Sequence, residues 1–485
     1  MNKERDGVMD MEQTIAPTES RYPAARAWIE AWRAARAEGL DSIMLAVDGP
    51  IVSALLMNRI TGDLSRLQWD ARQSDWEGVW QPSWSGIGET VASEHRIVQE
   101  RPDLAWRLPS PTSVRGKGIF TYPLGPVHAD VAESLLYRLH VMGDEIIRLT
   151  LQNGYKERHV REMMGGRTVP EAMPVIARLT TTSNVHHTLA MTLAVEDAWG
   201  IQVSNPVHVT RTLMAELERA YSHLGDLAAL AVSTGLPVPQ MQYLHLKEAV
   251  LRLNFSLFGH RYLRGSIVPG GLFTVDWPQD TDPVGCARVI SDVLDQAEAV
   301  AAGLQRTSSF LDRLHGAGRI PASTVEWGRP VGPVGRASGL GLDVRQVRPY
   351  ADYADFDLQV PVETAGDAYA RFRVRVQELS ESLTVVRRIL GGWHPGDARS
   401  AGSAPPVLGG APVREHGIGV VEAPRGLLAY SVRFAPSGRI AAMGIATPSA
   451  RNWAVVPETM ANGNILQDFP IVDASFALSV AGWDG

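Results

Sequence analysis

Cysteine occurs once in the 485 residues, at Cys286, and that count limits the chemistry open to the chain. One thiol cannot close an internal disulfide, and Cys286 falls on the apolar face of an expected helix, where a buried and inert thiol is the simplest reading. Histidine offers the next reactive group: His128 stands in GPVH and His187 in SNVHH. Either ring is a proton relay or a core group with satisfied nitrogens, and the sequence leaves both readings open. No Gly-x-Gly-x-x-Gly fingerprint follows a strand, so any connection to NAD is indirect.

Such groups need a scaffold, and the hydrophobic periods supply one. The run SLLYRLHV sets Leu135, Tyr137, Leu139 and Val141 on one side of a strand. Gly143 and Asp144 turn the chain, and Ile147, Leu149 and Leu151 continue the alternation on the return. From Tyr155 to about Phe258 the period is helical. Asn205 and Pro206 give a cap and a first-turn proline, and Leu213, Leu217, Ala220, Leu224 and Leu227 mark a buried stripe. A second long helix starts near Asp282 and groups Ile290, Val293, Leu294, Ala297, Ala301 and Leu304. A third runs from about Asp367 to Leu390 and turns Phe372, Val376, Leu379, Leu383 and Val386 inward.

Gly- and Pro-rich stretches, roughly Gly328 to Gly341 and Gly391 to Gly419, interrupt these helices, and the second is long enough to be a flexible surface loop. Beyond it, LLAYSVRF and GRIAAMGIA flank a Pro-Ser-Gly turn and form a second hairpin. Upstream, residues 1–20 read as a mobile tail. Residues 21–113 read as a small α+β piece, with an amphipathic helix from Ala24 to Leu40 and a strand and turn at SIMLAVDG. Residues 114–485 form the main domain. The expected fold class is α+β and mostly helical, a central long-helix bundle with small β hairpins.

A net charge of −7 gives no basic field, which argues against nucleic acid as a partner. No run approaches the roughly 20 apolar residues of a spanning helix. The start MNKERDGVMDMEQ lacks a signal pattern, so a cytoplasmic chain is expected.

Several strings, in order and at compatible spacing, resemble the large subunit of complex I and its relatives, the large subunits of formate hydrogenlyase and hydrogenase-4. They are GPVHADVAE from Gly125, ARLTTTSNVHHTLAMTLAVE from Ala177, VGRASG from Val334, RPYADYADFDLQVPV from Arg348, GDAYARFRVRVQELSES from Gly366, EAPRG from Glu422, and the closing FPIVDASFALSVAGWD. The resemblance runs from about Val114 to the C-terminus, and residues 21–113 could be a shortened remnant of a complex-I-like domain. It implies a nickel-iron hydrogenase large-subunit-like fold. It also implies an iron-sulfur small subunit carrying the cluster, membrane antiporter-like subunits, and a peripheral position on the cytoplasmic side of the inner membrane.

The resemblance also fixes what is missing. Hydrogenases of this type hold nickel and iron with two Cys-x-x-Cys pairs, and here those places carry Thr180 and Ser183, then Ser479 and Gly482. Hydroxyls are poor nickel ligands and one thiol cannot replace four, so no metal and no hydrogen activation are expected. The complex I branch places a quinone headgroup in the same cavity between a tyrosine and a histidine; the matching residues here are Thr181 and Ala132. Quinone could still meet Thr181, His128 or His187 as a donor.

Glu133 matches a glutamate that passes protons away from the metal; its alternative is an N-cap or an ion pair with an arginine. Arg425 matches an arginine held over the metal's ligands; here it pairs with Glu133 or an anion, or braces the hairpin. Arg178, Arg336, Asp357 and Asp367 are expected to be paired structural charges in the helical core. Where relatives carry His-Arg-Gly-x-Glu this chain has Glu157 and Arg161 in the His and Glu places, which alters the surface toward the small subunit. The function implied is a nickel-free subunit coupling electron delivery to proton or ion movement. The alternatives are a catalytically silent scaffold and a free-standing soluble enzyme.

Overall fold

The computed structural model describes residues 40–48, 51–70, 114, 116–127, 133–274, 277–402 and 411–484. The chain divides into two compact units, Met1–Ala105 and Trp106–Gly485. In the first, β1 (Leu40–Asp48), β2 (Ile51–Asn58) and β3 (Leu64–Asp70) form an antiparallel sheet in that order. SIMLAVDG thus contributes to β1, and Leu40 opens that strand rather than closing a helix. The rest of the expected helix, and the tail, lie outside the described residues.

The second unit is α+β and mostly helical. Its first sheet joins β4 (Ile119–Leu124), β5 (Leu136–Met142) and β6 (Glu145–Gln152) in chain order. The alternation in β5 buries Tyr137, Leu139 and Val141 as the sequence indicates, and Gly143 supplies the left-handed turn at φ +65°. The return strand buries Ile146, not Ile147. A bulge between His140 and Val141 shifts the register, so that Val141 faces Ile146 while Leu139 faces Leu149.

The bundle is made of α1 (Asn184–Trp199), α2 (Asn205–Ser233), α3 (Pro237–Phe258), α4 (Pro283–Leu304) and α5 (Ala368–Leu390). α2 lies at its centre, against α3 and α5, and its 29 residues span about 44 Å. Its cap is Ser204 in extended backbone, with Asn205 and Pro206 already inside the first turn. The expected leucine stripe is buried, and so is the opposite face, including Arg211, Glu216, Glu218, Arg219 and His223. A helix buried all round must pair its charges internally, and this one does.

Asp282 and Asp367 cap α4 and α5, accepting from Gly285 N and Ala370 N at 2.9 and 2.8 Å. The apolar set on α4 is buried as expected; on α5, Val376 is only half-buried. Cys286 is likewise half-buried rather than enclosed, 3.8 Å from Ser256 Oγ, and burial pushes its thiol pKa up.

The second sheet has order β9-β8-β7, from β7 (His416–Ala423), β8 (Gly426–Phe434) and β9 (Ile440–Ala446). The expected hairpin is β8 with β9. The first half of β7, His416 to Gly419, comes from residues read as loop, and both Gly/Pro-rich stretches contain a helix, Gly332–Arg336 and Pro395–Gly402. Their prolines sit in the first turn, where proline starts a helix instead of breaking it. Among the described residues no helix is long and apolar enough to cross a membrane.

Candidate functional site

Two segments carry the four places discussed above, and one arginine ties them together. The first precedes α1. Thr180 is buried with Oγ1 unpartnered, Thr181 is exposed, and Ser183 is buried at the helix start. Glu218, from α2, accepts the first free N–H groups of α1, those of Val185 and His186, both at 2.9 Å, so the loop is pinned from below. The second segment follows the short helix Phe469–Phe476, whose terminal carbonyls are collected by guanidinium groups. Arg375 donates to Ser475 O and Phe476 O at 2.6 and 3.0 Å, and Arg425 Nε donates to Ala477 O. Arg425 Nη1 also donates to Thr182 Oγ1 at 2.6 Å, and Nη2 to Asp226 Oδ1 at 3.3 Å. Its acidic partner is therefore Asp226, not Glu133, because all three guanidinium nitrogens are already committed to the loops and α2.

Glu133 meets the second segment. Ser479 Oγ donates to its two oxygens at 3.2 and 3.1 Å, Ala481 N donates at 2.8 Å, and Lys156 Nζ is 3.8 Å away. The ion pair is thus with a lysine where an arginine was expected. Gly482 O accepts from Thr447 Oγ1 at 2.5 Å. Across the four places there are three hydroxyls and no thiolate, and one hydroxyl is spent on a carboxylate, so the residues present do not fit a nickel-iron centre. Among the described residues no group of three or more His, Cys, Asp or Glu side chains is arranged to hold a metal ion.

His187 is buried, with Nδ1 2.7 Å from Tyr430 OH, and burial pushes its pKa down to about 3, so the ring is neutral near pH 7. One of its two ring nitrogens is thus hydrogen-bonded within the core. His128 and Ala132 lie outside the described residues. Of the expected core charges, Arg336 is buried and ion-paired and Asp367 is buried with its oxygens on the Gly316 and Ala370 N–H groups, whereas Arg178 and Asp357 are exposed. Glu157 is exposed and Arg161 half-buried.

Sequence reasoning missed two features. Asp473 accepts from Tyr137 OH at 3.0 Å, and burial pushes its pKa up to about 6. The lone acid in FPIVDASF was the available signal. Deeper, Arg336 donates to Glu378 and Glu422 at 2.7 and 2.8 Å, and Arg345 pairs with Asp343 at 2.8 Å and Glu216 at 3.2 Å. Arg219 joins at Glu216 and His223 Nε2 at Glu378, 3.2 and 3.0 Å away. Burial alone would raise Glu378, but Arg336 and the His223 hydrogen bond hold it well below the usual carboxylate range. Burial and the charge of Asp343 instead push Glu422 up to about 7, against the pull of Arg336.

The long-helix bundle with small antiparallel sheets is the fold of the complex I-like and hydrogenase large subunits. Residues 234–405 match the family model described as respiratory-chain NADH dehydrogenase, 49 Kd subunit. An NADH-quinone oxidoreductase subunit of Desulfotalea psychrophila is 30% identical over 272 residues, covering 56% of this chain and 72% of the relative. The chain belongs to this respiratory-chain NADH dehydrogenase 49 Kd subunit family. The carbon monoxide-induced hydrogenase of Rhodospirillum rubrum is 27% identical over 359 residues, covering 73% of this chain and 96% of that one. In fold, the chain is similar to a chain of the membrane-bound sulfane sulfur reductase, an archaeal respiratory membrane complex. That match has TM-score 0.69 and 23% identity, covering 76% of this chain and 99% of the other.

Proposed function

We propose that this chain is the large subunit of a membrane-associated oxidoreductase complex, working without a nickel-iron centre. It couples electron delivery from an iron-sulfur partner subunit to proton or ion movement through antiporter-like membrane subunits. Family membership supports the subunit role, and the peripheral, cytoplasmic-side position follows from that reading. The observation that carries the proton-handling part is Glu133 against Ser479, 3.1 Å apart: a former ligand place has become a hydrogen-bond donor to an ionisable carboxylate. A quinone headgroup is a fitting acceptor, with the exposed Thr181 hydroxyl as one donor and His128, on the family resemblance alone, as another. Residues 21–113 are then the remnant of a domain that the hydrogenase relatives carry.

Glu133→Gln keeps the bonds from Ser479 and Ala481 while removing the titratable proton. In the intact complex we expect proton-coupled turnover to fall about 100-fold or more, the usual loss for a removed acid-base group, with assembly unchanged. Unchanged turnover would support the second reading, a silent scaffold, which the replacement of both the thiolate pairs and the tyrosine and histidine of the quinone place favours. Elemental analysis of the complex purified from its native host should find iron but no stoichiometric nickel. Nickel that follows this chain through purification would overturn the nickel-free reading.

A further inference from the structure

The sheet β4-β5-β6 carries a polar cluster outside the candidate site. Across β5 and β6, Arg138 lies directly opposite Thr150 and His140 directly opposite Arg148. Antiparallel partners share a face and alternate residues return to it, so these four side chains form one tile. It is on the side turned away from Tyr137, Leu139, Leu149 and Leu151, which face the core. Two of the four are nonetheless closed from solvent, His140 at 5% and Thr150 at 6% exposure. His140 Nδ1 is 2.9 Å from Thr121 Oγ1 on β4, but its Nε2 has no hydrogen-bond partner, and neither has Thr150 Oγ1. Two adjacent buried polar atoms left unpaired are costly, and together they point to an absent ligand.

The arginines give the sign of that ligand. Arg138 donates to Gln152 Oε1 at 2.9 Å, and among the described residues no carboxylate pairs with either guanidinium. Burial, and then the charges of Arg148 and Arg138, lower the His140 pKa, so both guanidinium groups lie near the ring. The tile is thus positive and rich in donors: two guanidinium forks, a hydroxyl, and the imidazole N–H at Nε2 when Nδ1 accepts from Thr121. One fork satisfies a carboxylate, whereas a phosphate group has oxygens enough for all four side chains. We propose that this tile binds a phosphate group, held between Arg138 and Arg148 with His140 Nε2 and Thr150 Oγ1 beneath it. Both arginines are half-buried and in no ion pair, so their long side chains can turn to admit the anion. The phosphate is that of a free ion or of an anionic lipid headgroup. On the edge strand β4, Phe120 and Tyr122 are exposed, which suits contact with a lipid interface. None of this rests on the proton-coupling reading.

Inorganic phosphate, and vesicles of phosphatidylglycerol or of phosphatidylcholine, offered to the purified full chain test the proposal and separate the two sources. We expect phosphate to bind saturably in calorimetry and to raise the thermal unfolding midpoint, with chloride at the same ionic strength doing neither. Arg148→Gln should weaken binding about 10-fold or more, the scale of one charge-assisted hydrogen bond, and Thr150→Val by a smaller factor. Arg252→Gln, a change at an exposed arginine on α3, should leave it intact. Without phosphate, Arg148→Gln should be as stable as the parent, because no carboxylate loses a partner; an arginine that only braced the sheet would leave a less stable variant. Sedimentation with phosphatidylglycerol vesicles but not with phosphatidylcholine, lost in Arg148→Gln, identifies the headgroup as the source. Saturable phosphate binding with no vesicle binding identifies the free ion. The proposal is overturned if neither phosphate nor the anionic vesicle binds, or if binding is as tight in Arg148→Gln and Thr150→Val as in the parent.

Discussion

Arg336→Leu is expected to lose at least about 3–5 kcal/mol of folding stability near neutral pH, the scale found when one member of a buried ion pair is removed. The guanidinium is fully buried and touches Asp343, Glu378 and Glu422 at 3.4, 2.7 and 2.8 Å, so leucine would leave three acids facing one another. Domain stabilities of about 5–15 kcal/mol put this loss at a large fraction of the total. The midpoint of urea unfolding measures it. A pH series gives a second check. With the arginine gone, the three carboxyls bind protons more tightly in the folded state than in the unfolded one, so the deficit should shrink as pH falls. In the parent protein Glu216 and Glu378 behave oppositely: their pKa values are depressed on folding, so their stabilisation is lost in acid. Glu422 alone in this cluster runs the other way, with a contribution that fades as pH rises through about 7. A variant within about 1 kcal/mol of the parent at neutral pH would show that the network is not an integral part of the bundle.

The same network marks where sequence reasoning stops. The stripes on α2, α4 and α5 were legible because burial of one face leaves a period of 3.6 in the apolar residues. The charges on α2 were not. Glu216, Arg219 and His223 look like a solvated face until Glu378, Arg336 and Arg345, far away in sequence, are brought against them. Partnership is a tertiary fact with no local period. The Ile146 register slip has the same character, since a bulge on one strand changes which residue of the other is buried. At the candidate site, family resemblance placed Arg425 and Glu133 at the loops, but it could not say that Asp226 and Lys156 would be their charged partners. The helices within the Gly- and Pro-rich stretches were hidden by a real ambiguity. Proline reads as a breaker or a starter depending on whether a turn of helix follows.

Gly419→Ala is expected to cost about 3 kcal/mol, the upper end for adding one carbon to a packed interior. A Cβ at this position would run into the carbonyl oxygen of Ala190, backbone of α1 that cannot rotate away as a side chain would. Gly417 makes the same approach to Ala194, so this pair of glycines sets how closely β7 lies on the helix. Gly303, on α4, gives the contrasting case. Nothing lies near its added Cβ, and alanine there should be neutral or stabilise by up to about 1 kcal/mol. The two unfolding midpoints should therefore move in different directions. The damage at Gly419 should also reach the site. Gly419 pairs across the sheet with Tyr430, whose hydroxyl contacts His187 on α1, so a strand pushed outward parts that 2.7 Å hydrogen bond. If Gly419→Ala is as stable as the parent, the close packing of β7 on α1 is not what holds the sheet to the bundle. The N-terminal loop of α1 would then be positioned by side chains such as Glu218, Arg425 and Ser222, without help from the sheet.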